Sequence, residues 1–431
     1  MRQNLTVVKT ILLFGAGKSA TVLIDYLIQE CETQKWKLII ADANKEQILL
    51  KTNHAKVAEA VEIDIKDEDS RSQLIQRAHV VISMMPPALH YLVAKDCVEY
   101  RKHLLTASYV DQQIKSLSDE INHRKLLFLC EMGLDPGIDH MSALQLIDQL
   151  KAEGKTITSF KSHCGGLVAP ESDDNPWHYK ISWNPRNVVL AGKAGAEFLL
   201  NGEAQNKDYS ALFKDCEEVQ VAGLPSLATY PNRDSLSYIP IYKLQSATTF
   251  IRTTLRYPAF CTAWQGIIEA KLTDETSLIP ENSTISFKDW SKSLLPFVNS
   301  SNQAMYQFLG LFDTTSIPAH CKNNADVLQY LLETKLVMQP EDKDMIVMLH
   351  EIEYNGGSIK SSLVVKGENS LRTAMAKTVG LPLGIAAKLI LTDQLKIKGL
   401  HIPIQKEIYE PVLKELALQG ICFEETRTQN D

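Results

Sequence analysis

The sequence predicts an α/β chain with a parallel, doubly covered sheet in its N-terminal third, then a second sheet-bearing region with a helical insert. Three observations predict it. Short apolar strands alternate with helical segments at regular spacing between residues 7 and 132. After Asp139 the strands change to polar alternation, and between about 260 and 340 the apolar spacing becomes three and four.

A chain of 431 residues has room for two or three domains, taking about 150 residues for each. The 45 Lys and Arg against 52 Asp and Glu give a net charge of −7, which excludes a surface built to coat nucleic acid. Eight cysteines lie far apart with no C-x-x-C pair, so neither a disulfide framework nor a zinc module is expected, and a reducing cytoplasm fits. The apolar stretch 5–17 is interrupted by Lys9 and is too short for a membrane span. No second run of about 18 apolar residues is expected. The chain therefore reads as compact and soluble, with no membrane partner.

Residues 7–14, VVKTILLF, form an apolar run that ends in Gly15-Ala16-Gly17-Lys18-Ser19-Ala20 and continues with helical spacing as TVLIDYLIQE. The first glycine allows a tight turn, the second lets a pyrophosphate approach the backbone, and the helix N-terminus offers unpaired N–H groups. Such a turn also serves as a plain strand–helix connector. A second strand, KLIIA (37–41), ends at Asp42. A carboxylate there hydrogen-bonds an adenosine ribose 2′-hydroxyl and repels a 2′-phosphate, which favours NAD over NADP; the alternative for Asp42 is a helix N-cap. Further strands are expected at 61–65, 78–85, 103–109 and 125–132. In a parallel sheet ligands lie beyond the carboxyl ends of the strands, which singles out Asp64-Ile65, 83–86, Ser108-Tyr109 and Leu134-Asp135-Pro136. Each of these also reads as turn chemistry.

In the second part, strands are expected at 156–166, 248–257, 345–354 and 358–366, the last two joined by the hairpin signal Asn355-Gly356-Gly357. Period-2 alternation along 248–257 puts Arg252, Thr254 and Arg256 on one face, with Ile251, Leu255 and Tyr257 on the other. Guanidinium forks suit carboxylate capture, although a solvated strand face has the same pattern. Arg233 adds a guanidinium in the loop YPNRDS. The segment 163–183 is too rich in Gly, Pro and Asx to be regular yet carries Cys164, His178, Tyr179, Lys180 and Trp183, so it is either a functional segment or a surface loop. The stripes Met305, Phe308, Leu309, Phe312 and Val327, Leu328, Leu331, Leu332, Leu336 read as core. His350-Glu351 is followed by Tyr354 where a zincin has His, and neither His163-Cys164 nor His320-Cys321 completes a ligand set, so no metal is expected. Serine-hydrolase and P-loop motifs do not occur.

The segments GLDPGIDHM (133–141), HCGGLVAPESDDNPWHYKISW (163–183), YPNRDS (230–235), RTTLRY (252–257) and TAMAKTVGLP (373–382) resemble saccharopine dehydrogenase of the glutamate-forming type over nearly the whole chain. The resemblance implies a Rossmann dinucleotide-binding domain, an α+β substrate-binding and dimerisation domain and a small helical subdomain. These fall at 1–139, at 140–260 with 341–370, and at 261–340, followed by a C-terminal helical segment, 371–431. It implies that saccharopine, NAD(P)+ and water give L-glutamate, 2-aminoadipate 6-semialdehyde and NAD(P)H, or the reverse, in a cytoplasmic homodimer. By similarity the cofactor touches Gly15, Ala16, Gly17, Lys18, Asp42, Ala43, Asn44, Asp64, Ile65, Met85, Ala107, Ser108, Leu134, Asp135, Pro136 and Trp183. The substrate touches Ser108, Tyr109, Asp135, Arg233, Thr254, Leu255 and Arg256, and Asp135, Cys164 and Tyr109 are the expected proton-transfer groups. Where that family commonly reads YCGGLPAPE and NPLGYKFSW, this chain has His163, Val168, Trp177, His178 and Ile181, which are expected to alter pH dependence or narrow the pocket. Two alternatives stand beside this reading: a carboxynorspermidine-type dehydrogenase, whose polyamine substrate wants acidic residues, and a non-catalytic dinucleotide-binding regulator.

Overall fold

The computed structural model describes residues 8–280 and 284–429. The chain forms two compact units, one built from residues up to Gln149 together with Leu371–Cys422, the other from Leu150–Ser370 with the residues from Phe423 on.

The first unit is built on a seven-stranded sheet, every neighbouring pair of which is parallel. Its strands are β1 (Thr10–Phe14), β2 (Lys37–Asp42), β3 (Ala58–Glu62), β4 (Val80–Ser83), β5 (His103–Thr106), β6 (Leu127–Leu129) and β16 (Gly399–His401). They run in the order β16-β6-β5-β4-β1-β2-β3, so strand order reverses between β1 and β4, the place where ligands of such sheets bind. All five residues of β1 are buried, as a strand covered on both faces requires. The expected strand 7–14 starts at Thr10, and Val7 lies outside the described residues. The expected strand 61–65 is displaced to β3, because the ladder with β2 pairs Leu38 with Ala58 and Asp42 with Glu62. Ile63 and Ile65 instead enter the apolar core beyond the strand end.

The expectation that no other segment has the length and apolarity of a membrane span is corrected by the helix Ala374–Leu391, 18 residues with a mean hydropathy of 1.5. Of its residues 83% are buried within the fold, so the apolarity serves core packing around its whole circumference. The C-terminal segment 371–431 is also not purely helical: besides this helix and Lys406–Leu418 it gives β16 to the first sheet and a further strand to the second.

The second unit carries a ten-stranded mixed sheet. Its strands are β7 (Ile157–Val168), β8 (Ala196–Leu200), β9 (Glu203–Lys207), β10 (Glu217–Val219), β11 (Leu227–Pro231), β12 (Arg233–Asp234), β13 (Thr249–Arg256), β14 (Asp344–Tyr354), β15 (Gly357–Lys366) and β17 (Glu424–Gln429). β7 pairs parallel with β13 and antiparallel with β14, and β14 turns into β15 through Asn355-Gly356. The helices of 258–335 pack into this unit's core. Trp264, Tyr306, Leu328 and Leu332 share one core with Trp177, Tyr179 and Tyr230.

The segment 163–183 is neither irregular throughout nor a surface loop. Its first six residues belong to β7, whose ladder with β14 extends to Val168, so they are regular. The irregular remainder is not a surface loop: Trp177 and Tyr179 are fully buried, and the Trp177 indole donates to Met305 O at 2.7 Å. Nor is β13 a solvated face, since Arg252 and Arg256 are only 3% and 4% exposed.

Candidate functional site

In the first unit the sheet's carboxyl edge gathers the residues that the strand spacing singled out. Gly15 to Lys18 follow β1, Asp42 to Asn44 follow β2, Asp64 and Ile65 follow β3, and Met85 follows β4. Ala107 to Tyr109 follow β5, and Leu134 to Pro136 follow β6. Gly15 takes φ +96°, and a Cβ there would stand 3.0 Å from Met84 O, so the first glycine is demanded by the turn itself. Gly17 has an ordinary φ of −64°, and a Cβ there would meet nothing within 4 Å. The second glycine therefore keeps open a space the protein does not fill. The helix Thr21–Gln34 and the short turn before it have no side-chain cap, which leaves their first N–H groups and the dipole for an anion. These residues fit a dinucleotide pyrophosphate.

Asp42 is not the N-cap of the helix that follows it. One carboxylate oxygen accepts from Ala16 N at 2.7 Å and the other from Asn44 N at 2.9 Å, while Asn44 is the residue that caps the following helix. The carboxylate thus ties the glycine turn to β2, with its charge offset by two N–H donors. Beside it, Lys51 Nζ donates to Gly17 O at 2.6 Å. Burial pulls this ammonium down to about 8, against the opposing fields of Asp42 and Asp25.

Further along the edge, the Tyr109 hydroxyl stands 3.5 Å from Asp135 Oδ1. Behind that loop Glu131 accepts from Val110 N, and its second oxygen meets His140 Nε2 at 2.9 Å. Asp64 Oδ1 accepts from Lys66 N, and Ile65 O accepts from the buried Arg71.

In the second unit, Cys164 on β7 is the register partner of Thr254 on β13, and Tyr230 on β11 pairs with Thr254 from the other side. Arg256 is the exceptional group. Its guanidinium lies 5.3 Å from the Tyr179 ring and 5.6 Å from the Phe260 ring, with Tyr230, Cys261 and Cys164 in electrostatic reach. Nη1 donates only to Leu255 O, Nε has no hydrogen-bond partner, and no carboxylate pairs with it among the described residues. Burial pushes the Tyr230 hydroxyl up to about 12, so it stays a neutral donor. A buried guanidinium short of acceptors is costly unless an anion completes it. Trp183 donates its indole N–H to the Tyr179 hydroxyl at 3.2 Å.

Other expected residues sit differently. Arg233 is exposed in β12 at φ +53°, paired in register with Ala196. Leu255 is fully buried in an apolar cluster with Leu167 and Val347, so its side chain is core. Arg252 stacks 4.7 Å from the Tyr238 ring. Of the departures from the family pattern, Trp177 is core, and His163 is buried between Thr253 Oγ1 at 2.7 Å and Glu351 Oε2 at 3.2 Å. His178 pairs with Asp173 at 2.7 Å. Sequence reading passed over Lys51, His90 and Phe260, none of which lies in a motif, and over Tyr230, which opens the motif YPNRDS; only their three-dimensional neighbours single them out.

Residues 11–127 match the family model of the saccharopine dehydrogenase NADP binding domain, and residues 133–421 match that of the saccharopine dehydrogenase C-terminal domain. The chain is 35% identical over 446 residues to the mitochondrial alpha-aminoadipic semialdehyde synthase of Bos taurus, covering 96% of this chain and 47% of that protein. It therefore spans about half the length of that relative. It is 30% identical to the saccharopine dehydrogenase [NADP(+), L-glutamate-forming] of Saccharomyces cerevisiae, over 95% of this chain and 96% of the other. The solved structure of apo saccharopine dehydrogenase (L-Glu forming) from the same yeast superposes with a TM-score of 0.86 at 28% identity, covering 97% of this chain and all of that one.

Proposed function

The chain belongs to the saccharopine dehydrogenase family, and from that premise we propose that it interconverts saccharopine and water with L-glutamate and 2-aminoadipate 6-semialdehyde, using NADP. In the oxidative direction, a carbon bonded to the secondary amine loses hydride while the nitrogen lone pair forms a C=N bond and the N–H proton departs. Water then adds to the carbon, and the C–N bond breaks. The bound dinucleotide supplies the hydride acceptor.

The chain's own residues bind, orient and move protons. The uncapped helix start and the space over Gly17 suit the pyrophosphate. Arg256, buried and short of acceptors, suits one of the substrate's three carboxylates, and a charge-assisted pairing there is worth about 1.5–3 kcal/mol. Tyr109 and Asp135, close together at the first unit's sheet edge, suit proton transfer. The guanidinium is the observation that carries this reading over a polyamine-adduct dehydrogenase, whose cationic substrate it repels.

NADP replaces the NAD expected from Asp42. The Asp42 carboxylate already accepts two backbone N–H groups, and Lys51 brings a cation to the same corner of the turn. The deciding assay follows reduced-cofactor absorbance with saccharopine and with carboxynorspermidine, each with NADP and with NAD. Turnover of saccharopine with NADP is expected, and turnover of the polyamine adduct alone overturns the proposal.

A further inference from the structure

The first unit contains a buried imidazole that the reaction as described does not use. His90 opens the helix His90–Glu99 and is 2% exposed. Its Nδ1 lies 2.8 Å from Ser83 Oγ at the end of β4, and its Nε2 lies 2.8 Å from Ser108 Oγ and 3.2 Å from Thr106 Oγ1, beside the end of β5. Thr106 Oγ1 in turn accepts from Ser108 N at 3.3 Å. The ring thus links two strand ends to Ser108, a residue of the sheet edge where ligands of such sheets bind.

Burial pulls this imidazole down to about 4, so it is neutral in use, with one N–H and one lone pair. Nε2 faces two hydroxyl oxygens and Nδ1 faces one. A bare Nε2 has a single lone pair and accepts well from only one of its two neighbours. An Nε2–H instead is shared between Ser108 Oγ and Thr106 Oγ1, while the Ser83 hydroxyl donates to a bare Nδ1. The second arrangement asks no lone pair to take two protons. With Ser108 Oγ accepting from the ring, its own hydrogen points elsewhere.

We propose that His90 is a positioning residue that holds its proton on Nε2 and so fixes the Ser108 hydroxyl as a hydrogen-bond donor to an acceptor oxygen of the bound ligand, either a substrate carboxylate or the nicotinamide carboxamide. The ligand's identity rests on the function proposed above; the tautomer does not.

Two measurements on the full chain test it. A long-range proton–nitrogen correlation spectrum of the imidazoles, with the His90 signals assigned by their loss in His90→Phe or, should that variant not fold, His90→Gln, is expected to show Nε2–H and a bare Nδ1. The opposite tautomer overturns the proposal. Steady-state kinetics then compare Ser108→Ala, His90→Gln and the double variant. Each single change is expected to raise one KM about tenfold, with the double variant no worse than Ser108→Ala, because His90 acts through that hydroxyl. A rise in the KM for saccharopine identifies the carboxylate as acceptor, and a rise in the KM for NADP identifies the carboxamide. Multiplying losses in the double variant, or a fall in kcat with both KM values unmoved, overturns the proposal. Wild-type protein that binds NADPH with the expected tautomer but does not turn over saccharopine refutes the function instead.

Discussion

Arg256→Met separates a guanidinium kept for a ligand from one kept for the fold. The substituent retains the apolar stem against Tyr179 and Phe260 and removes only the charged head. Inside the protein that head makes one bond, from Nη1 to Leu255 O, and its Nε has no partner. Replacing a buried, poorly compensated charge by an apolar group of similar length is neutral or stabilising, by up to about 4 kcal/mol. The free variant is therefore expected to melt at the wild-type temperature or a few degrees above it. A substrate carboxylate, however, loses a charge-assisted contact worth about 1.5–3 kcal/mol, and at about 1.4 kcal/mol per decade the KM for saccharopine rises about 10- to 150-fold. The KM for NADP stays within about twofold, because the dinucleotide cradle belongs to the first unit. Thermal melts and two steady-state titrations check all three quantities. A melting temperature lowered by several degrees with an unchanged KM for saccharopine refutes the reasoning, and so does an equal rise in both KM values.

Four other outcomes follow from the geometry. Gly17→Ala leaves the melting temperature of the free protein unchanged, since the added methyl meets nothing within 4 Å, but weakens NADPH binding by about 1–3 kcal/mol, the cost of overfilling an occupied space. Gly15→Ala, at φ +96° and 3.0 Å from Met84 O, destabilises the free protein as well, and calorimetry of the two variants distinguishes them. Lys51→Met weakens binding of 2′,5′-ADP about tenfold while that of 5′-AMP moves little, if the ammonium reads the extra phosphate; equal losses in isothermal titration assign the cation to the shared phosphate instead. Glu351 is held down at about 2 from an ordinary 4.5, chiefly by its bond to His163 and with help from Lys360. Its folded-state value is depressed, so its contribution is complete above about pH 4.5 and is lost as pH falls toward 2. With allowance for its partial exposure this amounts to about 2–3 kcal/mol. Urea midpoints measured from pH 6 to 3 should fall less steeply in Glu351→Gln than in wild type, and parallel slopes remove the carboxylate from the account.

Much of the scaffold is legible in the sequence where one physical rule acts alone. The run into Gly15-Ala16-Gly17, the buried strand KLIIA and the Asn355-Gly356 hairpin each follow from local chemistry. The short strands β9, β10, β12, β16 and β17 carry no such signal: EETRTQ is exposed at every position and joins the sheet only because β15 presents a free edge. Period-2 alternation states which residues of β13 share a face. Whether that face is covered depends on Tyr238, Tyr179 and Phe260, which come from elsewhere in the chain.

The same limit explains why site residues and structural residues look alike in sequence, and it supplies the criterion that parts them. Arg71, Lys180, His163 and Arg256 are all polar groups taken out of water. Arg71 meets Asp96 and Ile65 O, each at 2.7 Å. Lys180 meets Asp174 at 2.8 Å and Asp342 at 2.7 Å, and His163 lies between Thr253 and Glu351. In each of these three the desolvation cost is offset by partners folded beside the group, and the residue's presence is explained by the fold. Arg256 meets one carbonyl and two aromatic faces, which leaves most of the cost of burying a guanidinium without compensation. A protein retains that deficit where something outside the chain removes it, and a carboxylate ligand does so with the geometry a guanidinium fork prefers.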